Sequence, residues 1–164
     1  MFYKNIIETI PIYMYGLVSK FSGLVIYDSI MYVSFNLFFT SLPIIHFATF
    51  DYEYPVKRAL LNNPSLYRIG LENIYFNKWV FWRWVFYAFW QGTLIMVLAF
   101  YGVDYLSTDV DGNLTGVFVA GNLIFMNLVV VSNMKILISS YLISPLLIFL
   151  VFGSTLFYFI VYVL

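Results

Sequence analysis

The chain has 164 residues, of which 63% are hydrophobic and only 10% charged, and its formal net charge is zero. A soluble domain of this size needs far more polar side chains to cover itself, so composition excludes one and leaves lipid as the solvent. A balanced charge gives no reason to expect a nucleic-acid partner, and the absence of cysteine excludes disulfides and thiolate metal sites without fixing the redox compartment.

Residues Phe2 to Val18 are largely apolar but contain Lys4, Glu8 and Pro11. Three readings of this stretch stand side by side on composition. A signal peptide explains the early lysine, although Glu8 and Pro11 interrupt its apolar region. An interfacial helix is the second. The third is a spanning helix that carries functional polar groups. Lys4 itself has two readings: it snorkels from the end of its helix, or it lies at membrane depth and serves a transport path.

A spanning helix needs about 20 apolar residues at about 1.5 Å each. Four later runs meet that need: Ser29 to Phe50, Trp84 to Val103, Gly112 to Met134, and Ile136 to Leu164. In the first of these, Asn36, Thr40 and Pro43 stand at i, i+4 and i+7, which stacks them on one helical face beside Ser41. Pro43 leaves the carbonyl of Phe39 without its usual N–H. In lipid that carbonyl needs a neighbouring helix or an ion. His46 lies near the end of this span and receives no role.

The connections set the sidedness. The stretch Asp51 to Arg83 holds Lys57, Arg58, Arg68, Lys78 and Arg83, and Lys135 falls on the same side if the chain alternates. The positive-inside rule puts that side in the cytosol. Asp104 to Asp111 holds three aspartates and faces outward, as does the Asn113-Leu114-Thr115 sequon. The aspartates are read as solvating a turn rather than binding a cation. Asn122 and Asn133, eleven residues apart, are read as joining helices, and Gly121 and Gly153 as allowing close helix contact. One histidine, no glycine-rich phosphate loop and no metal-ligand cluster leave no complete catalytic set in this chain.

The motifs resemble a known family. Phe2-Tyr3-Lys4-Asn5 resembles the Tyr-Lys-Asn motif in the fifth transmembrane helix of phospholipid-translocating P-type ATPases, the lipid flippases. Phe21-Ser22-Gly23 and Tyr27-Asp28 resemble the outer turn after it. Phe35-Asn36 with Phe39-Thr40-Ser41-Leu42-Pro43 resembles the sixth helix. Phe50-Asp51 with Glu53 is similar to a Phe-Asp-x-Asp motif, with glutamate in place of the second aspartate. Pro64-Ser65-Leu66-Tyr67 with Gly70, and Phe81-Trp82 with Trp84, resemble the next loop and the start of the seventh helix. Order and spacing agree from residue 2 to about 84, and the remainder agrees in hydropathy and loop size.

The resemblance implies an all-α, polytopic transmembrane bundle of about five spans, the family's fifth to ninth helices. They are expected over residues 2–20, 29–50, 80–103, 113–134 and 139–162, with a cytosolic loop over 51–79 and an outer loop over 104–112. It implies movement of phospholipid from the outer to the cytosolic leaflet. Lys4, Asn5 and Asn36 would contact the headgroup or couple to dephosphorylation, with Thr40 and Ser41 as weaker candidates and Pro43 as a structural kink. No metal or cofactor is expected on this chain. ATP and Mg are implied for an intact protein whose phosphorylation and nucleotide-binding domains and fourth helix are expected outside this chain, which would then be a fragment or a truncated gene model. The resemblance also implies a plasma-membrane or Golgi/endosomal location, and an accessory β-subunit whose contact would be the outer loops. The alternative is a stand-alone small channel, carrier or scaffold subunit.

Overall fold

Backbone amides and carbonyls inside lipid must pair within their own segment, and a helix does this without help. The computed structural model, which describes residues 2–52, 63, 65–73, 75, 77–106 and 117–163, is all-α over those residues. The elements are α1 (Phe2–Val18), α2 (Ser29–Ser34), a π-helical turn (Phe35–Phe39), α3 (Ser41–Phe50), a short α4 (Leu66–Leu71), α5 (Lys78–Leu106), α6 (Val117–Ser139) and α7 (Pro145–Val163). Four segments are long and apolar enough to cross a membrane: Ser29–Phe50, Lys78–Gly102, Val117–Ser139 and Pro145–Tyr162. The fifth long helix, α1, has 17 residues.

Each end has a local cause. α1 closes with a residue in the left-handed region at Lys20, φ 52°, where glycine is usual. The Phe21 N–H then reaches back to the Gly16 carbonyl at 2.7 Å and the Lys20 N–H to the Leu17 carbonyl at 3.3 Å. α5 begins at the cap of Asn77, whose Oδ1 accepts the Val80 N–H at 2.9 Å. α7 begins at Ser144, whose Oγ accepts the Leu147 N–H at 3.1 Å, with Pro145 in the first helical position where its missing N–H costs nothing. The last two long helices therefore sit later than the expected spans 113–134 and 139–162. Lys135 does not end a helix. Its ammonium lies over aromatic rings, and α6 continues to Ser139. The outer-loop aspartates Asp109 and Asp111, the sequon, Lys57, Arg58, Glu53 and Pro64 lie outside the described residues, as does the side chain of Asp104.

α6 is the hub. It packs against α1, α3, α5 and α7, and its buried residues run from Ala120 to Asn133. Phe125 on α6 meets Phe35, Phe39, Tyr27 and Tyr158 with ring centroids 5.4–6.1 Å apart, mostly edge to face. Small residues let α5 close on α1. Pro11 leaves the Ile7 carbonyl without its i+4 N–H, and Gly92 of α5 approaches that oxygen. A Cβ at position 92 would stand 3.3 Å from it and 3.0 Å from the Ile10 Cβ, so glycine admits an approach that alanine would push back.

At the other proline the answer is a side chain. Asn133 Nδ2 donates to the Phe39 carbonyl at 3.1 Å and to Ser154 Oγ at 2.7 Å, tying the π-helical turn to α6 and α7. At the same end as the start of α5, Asp51 Oδ1 accepts from Ser140 Oγ at 3.0 Å and the Leu142 N–H at 2.8 Å, which joins α3 to the α6–α7 turn. His46, buried, places Nε2 3.2 Å from Ser144 Oγ in the same corner.

The two glycines singled out in the sequence behave differently. A Cβ on Gly121 would overlap the Ile26 carbonyl of the α1–α2 turn, whereas one on Gly153 would meet nothing within 4 Å, so close helix contact is not the reason for Gly153. Gly121→Ala should therefore destabilise the chain in detergent by more than about 1 kcal/mol while Gly153→Ala leaves thermal unfolding unchanged. Asn133→Leu keeps the volume but strands the Phe39 carbonyl. It should cost about 1–2 kcal/mol in a reversible denaturation assay, and an unchanged midpoint would show that the carbonyl has another partner.

Candidate functional site

The polar side chains of the first helices converge where the second spanning segment loses its α-helical register. Phe35–Phe39 forms a π-helical turn, which inserts one residue into the helix. The Thr40 hydroxyl fills the widened turn by donating to the Phe35 carbonyl at 2.7 Å. The inserted residue also rotates the helix before the turn against the helix after it. Thr40 and Pro43 are buried, but Asn36 is exposed, so the face expected from i, i+4, i+7 spacing is broken between Asn36 and Thr40.

The Lys4 side chain runs from α1 to the residue that follows the π-helical turn. Its Nζ donates to Thr40 Oγ1 at 2.9 Å. Thr40 stands at the middle of the 22-residue segment Ser29–Phe50. The ammonium therefore lies level with the middle of that segment, although Lys4 itself is the third residue of α1. One turn along α1, Glu8 is 2% exposed and accepts a long bond, 3.4 Å, from Asn36 Nδ2, while its Oε1 has no partner among the described residues. Pro11 and Tyr15 continue the same buried face of α1.

Lys4, Thr40, Glu8 and Asn36 thus form one polar seam between α1 and the π-helical turn. The Phe39 carbonyl with Asn133 and Ser154 extends polar contact to its far side. The seam reaches the surface at Asn36 and ends inside at Thr40. Asn5 and Ser41 lie apart from it. Asn5 is exposed on α1, where its carbonyl accepts from the Thr9 hydroxyl, and the Ser41 hydroxyl turns back to the Leu37 carbonyl. Glu8 belongs to no motif in the sequence. The signal that could have found it is its place four residues after Lys4, on the same face of α1.

Chemically the seam offers a positive donor, an amide that both donates and accepts, a hydroxyl and a buried carboxyl, within an otherwise apolar bundle. Such groups are expensive at membrane depth and are usually kept for a ligand or a transported group. They do not form a metal centre. Among the described residues no three His, Asp or Glu side chains converge.

The chain is 26% identical over 157 residues to phospholipid-transporting ATPase IH of Mus musculus, covering 96% of this chain and 13% of that protein. It is 35% identical over 114 residues to phospholipid-transporting ATPase ID of Homo sapiens, covering 68% of this chain and 9% of that protein. It is also 27% identical over 158 residues to guanylate cyclase alpha of Plasmodium falciparum, covering 96% of this chain and 4% of that protein. The chain thus spans a small fraction of the length of each relative. All 164 residues match the family described as phospholipid-translocating P-type ATPase C-terminal, and the chain belongs to that family as an integral membrane domain.

Proposed function

We propose that this chain handles the phospholipid headgroup in the membrane portion of an ATP-driven lipid translocase that moves phospholipid from the outer to the cytosolic leaflet. The single observation that carries the reading is Lys4, whose ammonium is held at mid-span on Thr40 beside a seam that opens to the surface at Asn36. A charge at the bilayer centre costs about 2.5–3.5 kcal/mol on insertion scales, and a passing phosphate offsets that cost. Lys4 neutralises the phosphate. Asn36 meets the headgroup at the mouth of the seam, and Thr40 holds Lys4 in place. The exposed Asn5 amide presents a further polar group on α1. Glu8 keeps Asn36 oriented.

In the intact protein, ATP and Mg would be handled by other domains. Among the described residues there is neither a phosphate-cradling glycine loop nor a converging carboxylate set. The basic end, with Lys78, Arg83 and Lys135, faces the cytosol by the positive-inside rule. The turn at Ser19–Asp28 faces out, where an accessory β-subunit would dock. The membrane is the plasma membrane or a Golgi or endosomal membrane. A second reading rests on the relative named guanylate cyclase alpha: the same membrane domain then serves beside a different catalytic domain.

Two measurements test the reading. In the full-length protein that carries this domain, Lys4→Ala should lower lipid-stimulated ATP hydrolysis by roughly tenfold or more, the loss of one charge-assisted hydrogen bond, while Phe38→Ala stays near wild type. Equal activity in both would remove Lys4 from the path. Sidedness is readable because the chain has no cysteine of its own. Ser22→Cys should react with a membrane-impermeant thiol reagent on intact cells and Ser65→Cys only after permeabilisation; the reverse pattern would invert the topology.

A further inference from the structure

Glu8 is the acidic residue of α1, and it is sealed inside the bundle at 2% exposure, with Ile7, Pro11 and Tyr15 buried beside it on the same helix. Its Oε2 accepts one long bond, 3.4 Å, from Asn36 Nδ2. Its Oε1 has no hydrogen-bond partner among the described residues. A carboxylate accepts donors on both oxygens, and burying its charge without them is costly.

A cation stands near and is engaged elsewhere. Lys4 lies four residues earlier, one turn away on the same side of α1 and within electrostatic range of Glu8. Its ammonium nevertheless donates to Thr40 Oγ1 at 2.9 Å, and Glu8 takes part in no ion pair among the described residues. The other surroundings add no charge. Tyr27 of the α1–α2 turn is buried within electrostatic range of Glu8, and its hydroxyl also lacks a partner among the described residues. The π-helical turn contributes the neutral Asn36 amide, and α5 presents Gly92 to this part of α1. Every buried residue of α6 from Ala120 to Asn133 is neutral. Tyr15, two turns further along α1, stacks on Phe100 instead.

The spacing of Lys4 and Glu8 allows an exchange. An ammonium that leaves Thr40 reaches Glu8 by rotation about its own side-chain bonds, with no backbone movement. Two arrangements then balance the buried carboxyl. In one, Lys4 holds Thr40 and a proton on Oε1 neutralises Glu8. In the other, Lys4 and Glu8 form an ion pair and the proton is gone. A charged Glu8 with Lys4 still on Thr40 would be a buried charge without its partner, the least favourable of the three. The structure holds Lys4 on Thr40.

We propose that Glu8 is a proton-binding site whose occupancy alternates with the position of Lys4. The carboxyl carries a proton while Thr40 holds Lys4 and releases it when Lys4 turns to Glu8. The O–H bond forms at Oε1 with a proton taken from water. On release its electron pair stays on the carboxylate and the proton returns to water. This role goes beyond holding Asn36, and it stands whether or not lipid moves past Thr40.

Infrared spectroscopy reads the site directly, because a protonated carboxyl has a C=O stretch that carboxylates and carboxamides lack. The protein is the full-length one that carries this domain, in phosphatidylcholine nanodiscs without nucleotide. The difference spectrum between wild type and Glu8→Gln at neutral pH should contain that band, and raising the pH should remove it. Thr40→Val takes away the hydroxyl that holds Lys4 and should erase the band at neutral pH, whereas Thr40→Ser should retain it. Lys4→Met removes the competing cation and should also retain it. Identical carboxyl regions in wild type and Glu8→Gln would overturn the site. So would a band unchanged by Thr40→Val, a band lost in Lys4→Met, or a band displaced by sodium or potassium at fixed pH, which would mark a metal cation instead. Loss of lipid-stimulated hydrolysis in Lys4→Ala with no Glu8 band in wild type would overturn the proton site and leave translocation standing. Full hydrolysis in Lys4→Ala with a Glu8 band that depends on Thr40 would do the reverse.

Discussion

A carbonyl deprived of its helical N–H cannot turn to water inside an apolar bundle, and two prolines in this chain create that situation. Pro11 frees the Ile7 oxygen and Pro43 frees the Phe39 oxygen. The responses differ in kind and together set the architecture. At Ile7 the response is space, since Gly92 brings the backbone of α5 against it. At Phe39 it is a side chain, Asn133, reaching across from α6. The second spanning segment is therefore fastened to α6 where its backbone is incomplete, while α1 is closely approached by α5 at the corresponding point. The aromatic cluster around Phe125 fills the volume between those fastenings.

The same defect gives the bundle its polar interior. A helix that takes on an extra residue at Phe35–Phe39 exposes backbone oxygens and needs hydroxyl and amide groups nearby. Thr40 serves the Phe35 carbonyl and then accepts from Lys4. Glu8 and Asn36 complete the seam toward the surface. The residues that repair the backbone are thus also the ones that form the polar seam. A regular α-helix in this place would leave Lys4 with nothing to hold at mid-span.

The family match covers the whole chain, yet the chain is a small share of each named relative. What such proteins have in common with this one is the helical membrane domain. The polar seam belongs to this domain, and its four side chains include no nucleotide-handling motif.

Much of this was legible in the residues. Hydropathy and helix length defined the membrane-spanning class, because the bilayer thickness is fixed and the side chains either suit lipid or do not. The motif Tyr3-Lys4-Asn5 and the run Phe39 to Pro43 pointed to the family, and Pro43 identified the Phe39 carbonyl as needing a partner, because proline chemistry is local. The partner was not legible. Asn133 lies 94 residues away, and only the packed bundle brings it within 3.1 Å. Asn36 and Thr40 read as one face, and the π-helical turn separated them, since one inserted residue rotates a helix in a way that i, i+4 counting does not register. Glu8 and Lys135 carried no motif. What marks them is their surroundings, burial beside the Asn36 amide for Glu8 and three aromatic rings for Lys135. The sequence by itself determined the solvent, the helices and the broken carbonyls; which side chains answered them was decided only by tertiary structure, because burial and contact belong to the folded chain.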